Sequence, residues 1–144
     1  MRIPSLVAVA ALSAASSLNP TIVKGEEPDA LCPRGNATLS GTYMSMGGGT
    51  EVGVGPIAFV GKSTYDGEGN FVNPFTMSVN GVISTGVAKG TYTVNGDCTG
   101  LLYASNGVVT SHFVINPDGS KVDFIRVVDG FVVSSSQSRM KGRD

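Results

Sequence analysis

FVNPFTMSVNGVISTGVAKGTYTV, residues 71–94, holds two runs rich in β-branched and aromatic residues on either side of one Asn80-Gly81 dipeptide. A type I′ turn needs positive φ at both central positions, which Asn and Gly adopt most readily, so the runs 71–79 and 82–94 are expected to pair as an antiparallel hairpin. The same punctuation continues in both directions. Asn106-Gly107 and Asp129-Gly130 belong to the same turn class, and Asp66-Gly67-Glu68-Gly69-Asn70, Asn95-Gly96-Asp97 and Asn116-Pro117-Asp118-Gly119 make slightly longer turns. Between them stand further strands at 38–46, 57–65, 98–105, 108–115, 120–128 and 131–139, eight in all and without a crossover helix.

Hairpin after hairpin leaves two architectures, a closed up-and-down barrel or a two-sheet β-sandwich. Nearest-neighbour pairing leaves only the first and last strands with free edges, and joining them removes both. The expected fold class is therefore all-β, an eight-stranded antiparallel up-and-down meander forming a closed β-barrel, with the sandwich as the alternative. Gly47-Gly48-Gly49 and Gly53-Val54-Gly55-Pro56, after the first strand, are expected to form the longest flexible loop and the lip of any cavity.

With 144 residues the chain has the size of one domain. Residues 1–15 carry Arg2, a short apolar run from Leu6 to Leu12 and the small residues Ser13-Ala14-Ala15, the pattern of a signal peptide too short to span a bilayer. Residues 16–35, with Pro20, Pro28, Pro33 and a cluster of acids, read as a flexible leader, and 36–140 as the β-barrel domain. The expected location is secreted, periplasmic or extracellular, with no membrane span after processing. In an oxidising compartment Cys32 and Cys98 are expected to form a disulfide, whose closed loop is worth roughly 4 kcal/mol in the chain-entropy model. Formal net charge is −1, which implies neither nucleic acid nor anionic membrane as a partner.

Two segments resemble a group of small exported bacterial proteins of unassigned function. They are Cys32 followed by Asn36-Ala37-Thr38-Leu39-Ser40-Gly41-Thr42-Tyr43, and Gly90-Thr91-Tyr92-Thr93-Val94-Asn95-Gly96-Asp97-Cys98-Thr99-Gly100, with the Asp66 to Asn70 turn alike as well. The chain departs from that pattern at Leu101, where a threonine is expected. In architecture it also resembles the allene oxide cyclase and lipocalin-type barrels, and that resemblance implies an apolar molecule bound or rearranged inside.

Side-chain alternation sorts the remaining candidates. On 108–115, Phe113 marks the better interior face and His112 falls outward, a surface histidine with no nucleophile to serve. On 120–128, Arg126 shares a face with Val122, Phe124 and Val128, opposite Lys121, Asp123, Ile125 and Val127. If the Phe124 face points inward, Arg126 is either a cation at the barrel mouth or the anchor for an anionic ligand head. If the other face points inward, Asp123 takes that role. The tyrosines and phenylalanines pack the core or line a pocket. The ligand-binding candidates are Arg126, Phe124, Phe113, Tyr92, Tyr103 and Phe59. Asp66, Glu68 and Asn70 space their oxygens like the start of a calcium loop but lack the downstream glutamate, so a plain hairpin turn is expected. Asn36-Ala37-Thr38 is a sequon, relevant only in a eukaryotic secretory route. No metal site and no cofactor is expected, and no Walker or dinucleotide motif is present.

These residues are consistent with three roles. The first is a binding module for a small apolar or amphipathic molecule. The second is a cyclase or isomerase that works by positioning its substrate. The third is a structural or surface-interaction protein with a solid interior. The interior volume separates the first two from the third.

Overall fold

Asn80 and Gly81 both take positive φ, 48° and 83°, and the strands they join pair in register from Asn70↔Thr91 to Val79↔Val82. A computed structural model describes residues 30–142, so residues 1–15, expected as a signal peptide, and 16–29 of the expected leader lie outside the described residues. The eight strands are β1 (Ser40–Glu51), β2 (Gly55–Asp66), β3 (Asn70–Val79), β4 (Val82–Val94), β5 (Thr99–Ala104), β6 (Val109–Ile115), β7 (Lys121–Arg126) and β8 (Phe131–Arg139). Each pairs antiparallel with the next, and β1 pairs with β8 from Tyr43↔Arg139 to Glu51↔Phe131, which closes the barrel and leaves no sandwich edge. The described residues otherwise hold only one turn of 3₁₀ helix, Gly35–Thr38.

The expected glycine loop is not a loop. Gly47, Gly48 and Gly49 lie inside β1, paired with Phe59, Ala58 and Ile57 on one side and with Ser135, Ser134 and Val133 on the other. Glycine weakens an isolated strand, but a strand held by ladders on both flanks has no competing partner for its backbone groups. The link to β2 is only the short turn at Val52, Gly53 and Val54.

The wall is uneven in height. β1 to β4 run 10–13 residues, whereas β5, β6 and β7 run six or seven. The β4–β5 ladder spans only Gly90↔Ala104 to Val94↔Gly100, so β4 continues past the end of β5 toward the Asn80-Gly81 turn. That leaves a notch in the wall beside Lys89, whose carbonyl accepts a hydrogen bond from the Ser105 hydroxyl at 3.0 Å.

The end that carries the Asp66, Asn95 and Asn116 turns is plugged. Tyr43, Tyr65 and Tyr92 meet edge to face, with ring centroids 5.3 and 5.4 Å apart, a geometry worth about 0.5–1.5 kcal/mol per pair beyond area burial. Each hydroxyl is satisfied. Tyr43 Oη donates to the Gly119 carbonyl at 2.6 Å and accepts from Arg139 Nε at 3.2 Å. Tyr65 Oη donates to Gln137 Oε1 at 2.9 Å, and Tyr92 Oη to the Leu39 carbonyl at 2.6 Å. The 3₁₀ turn is tied to β4 by Asn36 Oδ1, which accepts from Val94 N at 2.8 Å.

Cys32 and Cys98 are bonded, with Cα atoms 5.2 Å apart. The bond fastens the segment before the 3₁₀ turn to the β4–β5 turn, where Cys32 N also donates to the Gly96 carbonyl at 2.9 Å. Cys98 sits at φ 67°, a left-handed conformation that costs a residue with a side chain on the order of 1 kcal/mol. Its backbone is held there by bonds from Cys98 N to Asn95 O and from Ile115 N to Cys98 O.

Candidate functional site

Above the tyrosine plug the barrel is hollow. Ser45, Gly47 and Gly49 on β1, Gly61 on β2, Gly86, Ala88 and Gly90 on β4, and Ser135 on β8 occupy alternating interior positions with small side chains or none. Four phenylalanines or their partners exploit this by direct cross-strand pairing: Phe59 with Gly47, Phe75 with Gly86, Phe71 with Gly90, and Phe113 with Gly100. A Cβ placed on Gly86 would stand 2.8 Å from Phe75 Cζ, and one on Gly90 2.9 Å from Phe71 Cε1. Each ring therefore lies flat across its neighbour's bare backbone, protecting that strand pair while leaving the barrel axis clear.

The space that remains is a cavity of about 790 Å³. This is within the size range of small-molecule sites. Its walls are apolar, with Phe59, Phe75, Met77 and Val79 from β2 and β3 facing Phe124 and Val133 from β7 and β8. At the mouth stand three strand ends: Glu51 closing β1, Arg126 closing β7 and Phe131 opening β8. The Arg126 guanidinium lies 4.5 Å from the Phe131 ring centroid. Among the described residues no carboxylate comes within ion-pair distance of it, since the one ion pair there joins Lys121 to Asp123 on the outer wall. Val87, Lys89, Ala104 and Ser105 also border the cavity, so it reaches the notch between β4 and β5.

The lower part of the cavity is polar. Ser45, Asn73, Ser111 and Gln137 line it. Gln137 is engaged by Tyr65, but Ser45 Oγ and Asn73 Oδ1 are buried without a hydrogen-bond partner.

Of the six ligand-binding candidates, Arg126, Phe124 and Phe59 line the cavity, and the Phe124 face of β7 is the inward one. Phe113 lies beneath, its ring centroid 5.1 Å from that of Phe124. Tyr92 belongs to the plug. Tyr103 is half-buried and is not among the cavity residues, because the interior positions of β5 are Gly100, Leu102 and Ala104. Sequence reasoning passed over Ser45, Asn73, Glu51 and Met77, and held Phe75 and Phe131 only among the aromatics that pack the core or line a pocket. The signal that could have found them is small residues alternating on β1 and β4 opposite large ones on β2 and β3.

Other polar groups are consumed locally. Asp66 Oδ1 accepts from Glu68 N and Asn70 N at 2.8 and 3.0 Å, and its Oδ2 from Asn70 Nδ2 at 2.6 Å, so this is a hydrogen-bonded turn. The bonds from Asn70 hold the Asp66 carboxyl below the usual carboxylate range, and those from Thr99 and Ser120 do the same for Asp97 and Asp118. His112 is exposed on the outer wall, paired with Ile125. A depression of about 410 Å³ on the outer wall lies over Gly47, Gly48, Lys121, Asp123 and Ser136. Its Asp123 is already engaged, accepting from Ser136 Oγ at 2.6 Å and lying 3.8 Å from Lys121 Nζ. Among the described residues no three His, Cys, Asp or Glu side chains converge as a metal site would require.

Comparison of the chain with known protein families, with curated proteins and with solved structures finds no match.

Proposed function

We propose that this protein is an exported binding module that holds a small amphipathic molecule inside its barrel, apolar body among the phenylalanines and anionic head at Arg126. The observation that carries the reading is the cavity itself: closed at one end by the Tyr43, Tyr65 and Tyr92 plug, open at the other, and walled by apolar side chains above a polar floor. Arg126 supports the orientation, because it is a cation at the rim with no carboxylate among the described residues in ion-pair contact, a geometry suited to meeting an anion in bidentate fashion. Export is supported by the Cys32–Cys98 bond and by the apolar run from Leu6 to Leu12.

The test is titration with dansyl-labelled undecanoic acid, followed by displacement with dodecanoic acid. Saturable, displaceable binding is expected in the native chain. It is expected to disappear in Ala88→Phe, which puts a ring into the cavity from β4, while the thermal midpoint holds. Unsaturable binding, or binding indifferent to that ring, overturns the reading.

A further inference from the structure

Ser45 and Asn73 stand on either side of Gly61. Ser45 is directly opposite Gly61 across β1 and β2, and Asn73 Oδ1 lies 2.5 Å from where a Cβ on Gly61 would be. Ser45 is 1% exposed, both side chains border the cavity, and neither Ser45 Oγ nor Asn73 Oδ1 has a hydrogen-bond partner. Buried polar atoms in folded proteins are nearly always paired, and two orphans facing one hollow call for a common partner from within it. An amide oxygen only accepts, whereas a serine hydroxyl both donates and accepts. A hydroxyl is the simplest group that fits both, donating to Asn73 Oδ1 and accepting from Ser45 Oγ. A methyl terminus would satisfy neither.

We infer that the ligand is two-headed: an apolar chain with an anion at the mouth, on Arg126, and a hydroxyl at the inner end, on Ser45 and Asn73. The inference rests on the binding reading above and narrows its ligand class to hydroxylated carboxylates. The length is consistent. Ser45 and Glu51 mark the two ends along β1, and six strand residues at about 3.3 Å each, tilted by about 40°, give a depth of roughly 15 Å. A saturated chain of about twelve carbons, with bonds near 1.5 Å, has a similar reach.

The experiment is calorimetric titration of dodecanoic acid and ω-hydroxydodecanoic acid against the native chain, Ser45→Ala, Asn73→Leu and the double variant, with a thermal melt of each as the folding control. The native chain is expected to prefer the hydroxy acid by about tenfold, the worth of filling an unmet buried bond. The double variant is expected to lose or reverse that preference while keeping its affinity for dodecanoic acid. Equal binding of the two acids by the native chain overturns this inference and leaves the cavity reading standing, as does a preference that survives both substitutions. Binding of neither acid overturns the cavity reading and this inference together.

Discussion

Arg126 and Phe131 meet across the β7–β8 turn, the guanidinium 4.5 Å from the ring centroid, so the cation at the barrel mouth is held over an aromatic face. Such stacking is worth about 0.5–1 kcal/mol at an exposed site and restricts a side chain that otherwise samples many rotamers. The consequence is a charge biased toward the cavity mouth, with Glu51 opposite Phe131 on β1. On the binding reading proposed above, an anionic head approaching the mouth would meet this donor fork.

Arg126→Met keeps the apolar stem and removes the charge. Affinity for dodecanoic acid is expected to fall at least tenfold, the scale of a charge-assisted hydrogen bond, and affinity for dodecanol to stay within about twofold. Calorimetric titration of both ligands checks this, and an equal loss for both would place Arg126 outside head-group recognition.

Gly100 faces Phe113 with no room for a side chain, since a Cβ there would run into the Phe113 ring and the Thr93 carbonyl. Gly100→Ala is expected to lower stability by about 1–3 kcal/mol through overpacking. Urea unfolding measures it, and a neutral result would mean that the ring swings aside freely.

Reduction of the Cys32–Cys98 bond frees a loop with a sequence separation of 66. Its loss is expected to cost about 2–4 kcal/mol, read as a shift in the urea midpoint with and without a thiol reductant. The cavity lies at the opposite end from the bond, so saturable binding is expected to persist in the reduced protein wherever it remains folded.

Burial pushes the Tyr92 hydroxyl up from 10.0 to about 12, and burial raises Tyr65 further. In the unfolded chain these groups ionise near their ordinary value, while the folded barrel keeps them protonated. Their contribution to stability is therefore complete below pH 10, and that of Tyr92 is lost as pH rises from 10 through about 12, with the loss for Tyr65 extending to higher pH. Urea midpoints across that window are expected to fall steeply, and less steeply in Tyr92→Phe, which cannot ionise there. A flat profile would show that the plug is open to water.

The strand count and the order of pairing were legible along the chain because hairpins are local: Asn80-Gly81, Asn106-Gly107 and Asp129-Gly130 act between neighbours, and period-two alternation names the inward face once one large residue, such as Phe124, is placed inside. Gly47, Gly48 and Gly49 misled because glycine is ambiguous alone. Whether it marks a loop or a strand depends on flanking ladders contributed by Phe59 on one side and Ser135 on the other, the latter 88 positions away in sequence.

Sequence alone determined an eight-stranded antiparallel meander, its turns and its two cysteines, since each rests on near-neighbour geometry or on composition. Only the tertiary structure decided that β1 closes on β8, that Tyr43, Tyr65 and Tyr92 gather in one end while Phe59 and Phe75 fold onto the wall of the other, and that Ser45 and Asn73 are left facing a hollow. Those outcomes depend on cross-strand register between distant segments, which sets what each inward side chain meets across the barrel.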